Sequence, residues 1–297
     1  MSQRGTCPNT TQKKRFYYFA FLLRCIHSLA GLAFTLFLCE HLLTNQLAAS
    51  YLGWGKGFIA MVDQFHSIPG LKVIEIICLA LPFISHAVIG IVYLFQGKSN
   101  FAAGDGRQPS LRFSRNYAYS WQRWTAWILL FGLIFHVVHL RFIRYPLHLN
   151  IYGQSYYVVN IDSSRYTKIV RGTQDFLVMN VSKADQTTPR VNKSELTKVD
   201  LSLLSDKQSY LFTTSAGKAF LYIVRDSLSS LWMAILYTVL VLAAAFHGFN
   251  GLWTFCSRWG IIISSRSQTR LRNLCYCIMV LVAAMGISVI WNLYSVA

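Results

Sequence analysis

Residues Ser229–Phe255 read SSLWMAILYTVLVLAAAFHGFNGLWTF, 27 residues without a single Asp, Glu, Lys or Arg. A helix of about 20 apolar residues crosses the hydrocarbon core of a bilayer. This stretch is therefore a transmembrane helix, long enough to tilt or to project beyond the membrane. One ionisable side chain, His247, lies within it. Four further segments have the same character, roughly Cys25–Leu43, Val73–Phe95, Trp124–Ile143 and Leu274–Val296. Three of these also enclose a histidine: His41, His86 and His136. Ionisable groups inside a membrane helix are costly and usually carry a function. Four imidazoles can supply the axial ligands of two haem irons.

Composition agrees with a membrane protein. The 297-residue chain is 54% hydrophobic and 13% charged, with a mean hydropathy of +0.39, too apolar for an ordinary soluble domain. Eight Trp and sixteen Tyr suit rings anchored at two membrane interfaces. The formal charge of +17 does not read as a nucleic-acid surface, because the basic residues sit in short segments between apolar spans. There they set topology and contact membrane lipid. Lys13, Lys14, Arg15 and Arg24 precede an apolar stretch that runs on to Leu43 with no small-residue cleavage site, which is unlike a cleaved signal peptide. Cys7, Cys25, Cys39, Cys78, Cys256, Cys275 and Cys277 all lie outside the polar segment between Tyr145 and Arg225, so no disulfide framework is expected there. No CxxCH is present, so haem would be held non-covalently.

Basic residues give the orientation. Arg4, Lys13, Lys14, Arg15 and Arg24 flank the first span; Lys98, Arg107, Arg112, Arg115 and Arg123 lie between the second and third; Arg258, Arg266, Arg270 and Arg272 lie around the fourth-to-fifth connection. The first-to-second connection has only Lys56 and Lys72, with Asp63. The N-terminus is therefore expected to be cytoplasmic and the C-terminus extracytoplasmic, against the opposing signal of Arg141 and Arg144. The expected fold is an all-α integral membrane protein of five transmembrane helices forming a haem-binding bundle. Residues 1–145 give the N-terminal tail and helices I–III, 146–228 an extracytoplasmic insertion, and 229–297 helices IV–V. In the insertion, Tyr156–Val159, Asp175–Val178 and Tyr210–Thr213 have the character of strands. Its mixed charges form no catalytic constellation.

Alternating helix direction sorts the histidines by depth. His41 and His136 lie past the middle of outward-running helices, and His86 and His247 past the middle of inward-running ones. This gives an outer pair, His41/His136, and an inner pair, His86/His247. Two imidazoles on one iron make a low-spin b-type centre suited to electron transfer. Hydrogen bonding or an interfacial position explains any one of these histidines equally simply; four at two matched depths favour ligation. His139, one turn after His136, competes as the third-helix ligand. His27 and Arg24 could hold haem propionates, face a partner or anchor at the interface. His66 and Asp63 could serve a quinone as proton acceptors, although loop polarity also accounts for both, and His148 reads as solvated. Gly31, Gly90, Gly248 and Gly251 permit close approach of a helix or macrocycle, or ordinary packing. Asn250 reads as an internal hydrogen bonder.

Several ordered motifs carry a family resemblance: LRCIHSLAG at 23–31, EHLLTN at 40–45, LPFISH at 81–86, FHGFNGLW at 246–253, and Trp259-Gly260-Ile261 through Ser264 to Gln268. With them the chain resembles the cytochrome b558 membrane-anchor subunit of succinate dehydrogenase, the single-polypeptide dihaem type that also occurs in quinol:fumarate reductases. The resemblance covers nearly all of the chain except the N-terminal tail and the insertion. It implies two haems b, with His41 and His136 ligating the outer and His86 and His247 the inner. It also implies a flavoprotein subunit with covalent FAD, an iron–sulfur subunit, menaquinone as electron acceptor near the outer haem, and a place in respiratory complex II of a bacterial cytoplasmic membrane. Electrons would run from succinate through FAD, iron–sulfur centres, inner haem and outer haem to the quinone. The chain departs from the pattern in its long insertion. It also has Ala245 where some fumarate-reductase relatives carry a proton-conducting glutamate. The alternatives are an anchor working as a quinol:fumarate reductase, or a haem-free transporter or structural membrane protein.

Overall fold

The computed structural model describes residues 10–97, 114–151, 154–161, 177–180 and 209–296. Arg4, Cys7, Lys98, Arg107, Arg112, Asp175 and Phe176 of the sequence reading lie outside the described residues.

Among the described residues, five helices are long and apolar enough to cross a membrane. Helix α1 runs over Thr10–Gln46 and a short amphipathic helix, α2, over Lys56–His66. Helix α3 spans Leu71–Gln96 and contains a π-helical turn at Ile76–Ala80. Pro82 follows that turn and has no N–H to offer the carbonyl four residues back, which is the usual reason for a local change in helical pairing. Helix α4, Ser114–Val137, continues into a second π-helical turn at Val138–Ile143. The remaining helices are α5 over Ala216–Leu228, α6 over Leu231–Arg258 and α7 over Ser265–Val296. Large apolar side chains stand exposed along the long helices, among them Phe95 at 75%, Phe142 at 75%, Trp232 at 79% and Val280 at 62%. A water-soluble protein rarely presents so much apolar surface. Lipid is the solvent that suits it.

The chain divides into two compact units. The first comprises Met1–Leu38, Lys72–Trp127 and Ala245–Met279, and so holds the N-terminal part of α1, nearly all of α3, the start of α4, the end of α6 and the start of α7. Trp253 Nε1 donates to the Gln268 carbonyl within it, at 3.2 Å, and Arg123 Nη2 to that of Leu94, at 2.7 Å.

The second unit comprises Cys39–Leu71, Ile128–Ala244 and Val280–Ala297. It contains a four-stranded antiparallel sheet of β1 (Leu147–Ile151), β2 (Gln154–Ile161), β3 (Leu177–Asn180) and β4 (Ser209–Thr213), in the order β1-β2-β4-β3. The register places Val158 opposite Leu147 on one side and Phe212 on the other. Val159, Ile161 and Leu211 from the sheet bury against Ala219, Tyr222 and Ile223 of α5, with Leu140 and Tyr157 at the edge. Tyr156–Val159 and Tyr210–Thr213 therefore fall on β2 and β4, and Leu177 and Val178 of the remaining stretch on β3, while β1 and the helices α2 and α5 are additions. Asp63 fastens α5 to α2. Its carboxylate accepts from Ser215 Oγ at 2.7 Å and from the Gly217 amide at 2.8 Å, at the N-terminus of α5. Arg144 and Asp226 form an ion pair in the same unit.

Candidate functional site

In the first unit, His86 on α3 and His247 on α6 face each other with ring centroids 6.2 Å apart and planes at 81°. The His86 Nδ1 lies 2.9 Å from the His27 carbonyl oxygen, so it carries the proton and donates. The His247 Nδ1 lies 3.2 Å from Thr125 Oγ1. The Thr125 hydroxyl is itself a donor to the Trp121 carbonyl at 2.8 Å. A hydroxyl has one proton, and with it on that carbonyl the Thr125 oxygen is open to accept from His247 Nδ1. Gln122 Nε2 donates to the His247 carbonyl, and Asn250 Nδ2 donates to Gln122 Oε1. Asn250 is thus an internal hydrogen bonder, as its sequence position suggests.

Gly31 gives His86 its room: a Cβ there would stand 2.9 Å from His86 Cε1. His27 packs directly on this pair. Its ring stacks on that of His86 at 3.9 Å and 12°, and its Nδ1 lies 3.2 Å from the His86 carbonyl. Gly90 clears space for it, since a Cβ there would meet His27 Cε1 at 3.3 Å. Arg24 instead donates to Ala20 of its own helix. In the same unit a cleft of about 350 Å³ is lined by Arg115, Trp253, Thr254, Ser257, Arg258 and Gln268.

In the second unit, His41 on α1 and His136 on α4 have ring centroids 5.9 Å apart and planes at 87°. The His136 Nδ1 lies 3.3 Å from the Tyr237 phenolic oxygen. Asn45 Nδ2 donates to the His41 carbonyl at 2.7 Å and lies 3.4 Å from His41 Nε2. His139, in the π-helical turn, turns its ring onto Phe135 in a stacked contact at 5.5 Å. His66 Nδ1 lies 3.0 Å from the Val62 carbonyl, and its ring packs against Phe220. Asp63 has both carboxylate oxygens engaged with α5, which makes it a structural residue. His148 is exposed and meets Tyr157 edge to face. Burial, with Tyr145 and Asp63 nearby, pushes the Tyr157 phenol above its ordinary value.

These pairs fit the axial positions of a haem. An imidazole nitrogen binds a first-row metal such as zinc at about 2.0 Å and lies roughly 1.1 Å from its ring centroid, so two rings on opposite sides of one iron have centroids about 6 Å apart. Edge-to-face packing alone gives separations in the same range. The hydrogen bonds add a feature that packing does not need. His86, His136 and His247 all engage Nδ1, which leaves Nε2 for coordination, and metal-bound histidines almost always hold their second nitrogen this way. Among the described residues no group of three or more His, Cys, Asp and Glu forms a self-contained metal site. A tetrapyrrole asks for less, since its own nitrogens supply four ligands.

Sequence reasoning missed Thr125, Gln122 and Tyr237, and did not foresee the stacking of His27 on His86. Hydroxyls and amides in spans are too common to single out by themselves. Their relevance comes from a partner on another helix more than 100 residues away.

No family model matches the chain. It is similar over most of its length to the succinate dehydrogenase cytochrome b558 subunit of Bacillus subtilis (strain 168), with 26% identity over 272 residues that cover 91% of this chain and 96% of that protein.

Proposed function

We propose that this chain is the membrane-anchor cytochrome b subunit of a succinate:menaquinone oxidoreductase in a bacterial cytoplasmic membrane, with its N-terminus cytoplasmic and its C-terminus extracytoplasmic. It takes electrons from an iron–sulfur subunit, itself supplied by an FAD-bearing flavoprotein, and delivers them to menaquinone. The observation that carries this reading is the pair of facing imidazole sets, His86/His247 and His41/His136, at 6.2 and 5.9 Å. The similarity to the Bacillus subtilis subunit supports the complex around them.

Haem b, when bound, supplies a one-electron carrier inside the membrane. The chain does the rest. His86 and His247 would hold one haem, and His41 and His136 the other. The 3.4 Å contact between Asn45 and His41 Nε2 is weak by its length, so that nitrogen would be open to a metal at little cost. Gly31 admits the His86 ring, and the apolar walls of the helices keep water from the centres. The basic and aromatic cleft at Arg115, Trp253 and Arg258 lies among the residues assigned to the cytoplasmic side, where the iron–sulfur subunit would dock.

The test is reduction by the physiological donor. In purified complex, succinate reduces the b-type absorbance and a menaquinone analogue reoxidises it. A complex in which dithionite reduces the haems but succinate does not would contradict the proposed direction of flow.

A further inference from the structure

We infer that Thr125 and Tyr237 are positioning residues that hold His247 and His136 in the tautomer that binds iron. The inference rests on the proposed haem ligation and adds two residues to it. Helices α4 and α6 exchange roles. Helix α4 carries the ligand His136 and the hydroxyl of Thr125, which serves His247 on α6. Helix α6 carries the ligand His247 and the hydroxyl of Tyr237, which serves His136 on α4.

The surroundings of Thr125 favour one direction for its bond to His247. Thr125 is buried at 5%, and its one proton goes to backbone carbonyls of α4, at 2.8 Å for Trp121 and 3.2 Å for Gln122. With that proton on a carbonyl, the Thr125 oxygen presents a lone pair to His247 Nδ1. The imidazole proton therefore sits on Nδ1 and the lone pair on Nε2, where iron needs it. For His136 to bind through Nε2, Tyr237 must accept in the same sense, and its oxygen is 3.3 Å from Nδ1. Accepting this proton raises ligand basicity and fixes the ring about its Cβ–Cγ bond. His86 Nδ1 donates the equivalent bond to the His27 backbone carbonyl, an acceptor that no side-chain substitution deletes. Thr125 and Tyr237 are the two supports open to mutation.

The experiment uses the complete membrane complex with Thr125→Val, Thr125→Ser and Tyr237→Phe, read by redox titration, low-temperature electron paramagnetic resonance and haem content. Thr125→Val keeps the shape and removes the acceptor. It should shift the midpoint potential and resonance of the His86/His247 centre upward in potential, or weaken its haem retention by about 10–100-fold, and leave the other centre as an internal control for folding. Thr125→Ser should restore the wild-type signature. Tyr237→Phe should act on the His41/His136 centre alone. Unchanged spectra and potentials in Thr125→Val and Tyr237→Phe, or equal changes at both centres, would overturn the inference while leaving the haem reading intact. Absence of haem from the wild-type complex would overturn both.

Discussion

A single methyl group at Gly31 tests how closely the His86 ring is held. The added Cβ would lie 2.9 Å from His86 Cε1, closer than carbon atoms pack, and His86 cannot retreat without losing the 2.9 Å bond to the His27 carbonyl. Gly31→Val, with its branched and stiff side chain, is expected to remove the His86/His247 haem and spare the other, as counted by haem extraction and reduced-minus-oxidised spectra. Retention of both would show that the ring has freedom that this packing denies it. The four ligand candidates were legible because an ionisable group in an apolar span stands out against its neighbours. His27 was legible as a residue that could hold haem propionates, face a partner or anchor at the interface. Its stacking on His86 joins positions 59 residues apart, and no local pattern encodes such a contact. Thr125 and Tyr237 were hidden for the same reason.

At the scale of elements, the join between α2 and α5 depends on Asp63. Its carboxylate serves the Ser215 hydroxyl and the Gly217 amide, so it acts as a second cap on a helix whose own cap is Ser215, accepting from the Lys218 amide. Removing a helix-capping oxygen typically costs about 1 kcal/mol. Asp63→Ala should therefore make the α5 region open more often, seen as faster protease cleavage within 147–228 while the absorbance of both haems persists. Unchanged cleavage would mean that the apolar contacts of α5 hold it alone. The sequence concealed this helix for a physical reason. Gly217 counts against a helix by about 1 kcal/mol relative to alanine, yet only glycine fits, because a Cβ would stand 2.3 Å from the Ile59 carbonyl oxygen. Helix α2 was hidden by its brevity, with only Phe58 and Val62 fully buried. The strands were easier: Tyr156–Val159 and Tyr210–Thr213 are β-branched and aromatic runs bounded by polar residues.

For the whole molecule, the five spans were legible because bilayer thickness sets a minimum apolar length that few other structures need. Their ends were not. Helix α1 begins at Thr10, well before the apolar stretch at Cys25, because helical hydrogen bonding continues through Lys, Arg and aromatic residues once nucleated. Hydropathy measures the membrane and not the helix. The contacts within each unit bring His86 near His247 and His41 near His136.

The central claim is that these pairs each hold one haem, and the most direct measurement is the haem b content of the purified complex, per copy of this chain, in wild type and with each histidine replaced by alanine. The account predicts two haems in wild type. It also predicts loss of one and the same centre on replacing His86 or His247, and of the other on replacing His41 or His136. A wild-type content of zero or one, or two haems retained after any one of the four changes, would contradict it.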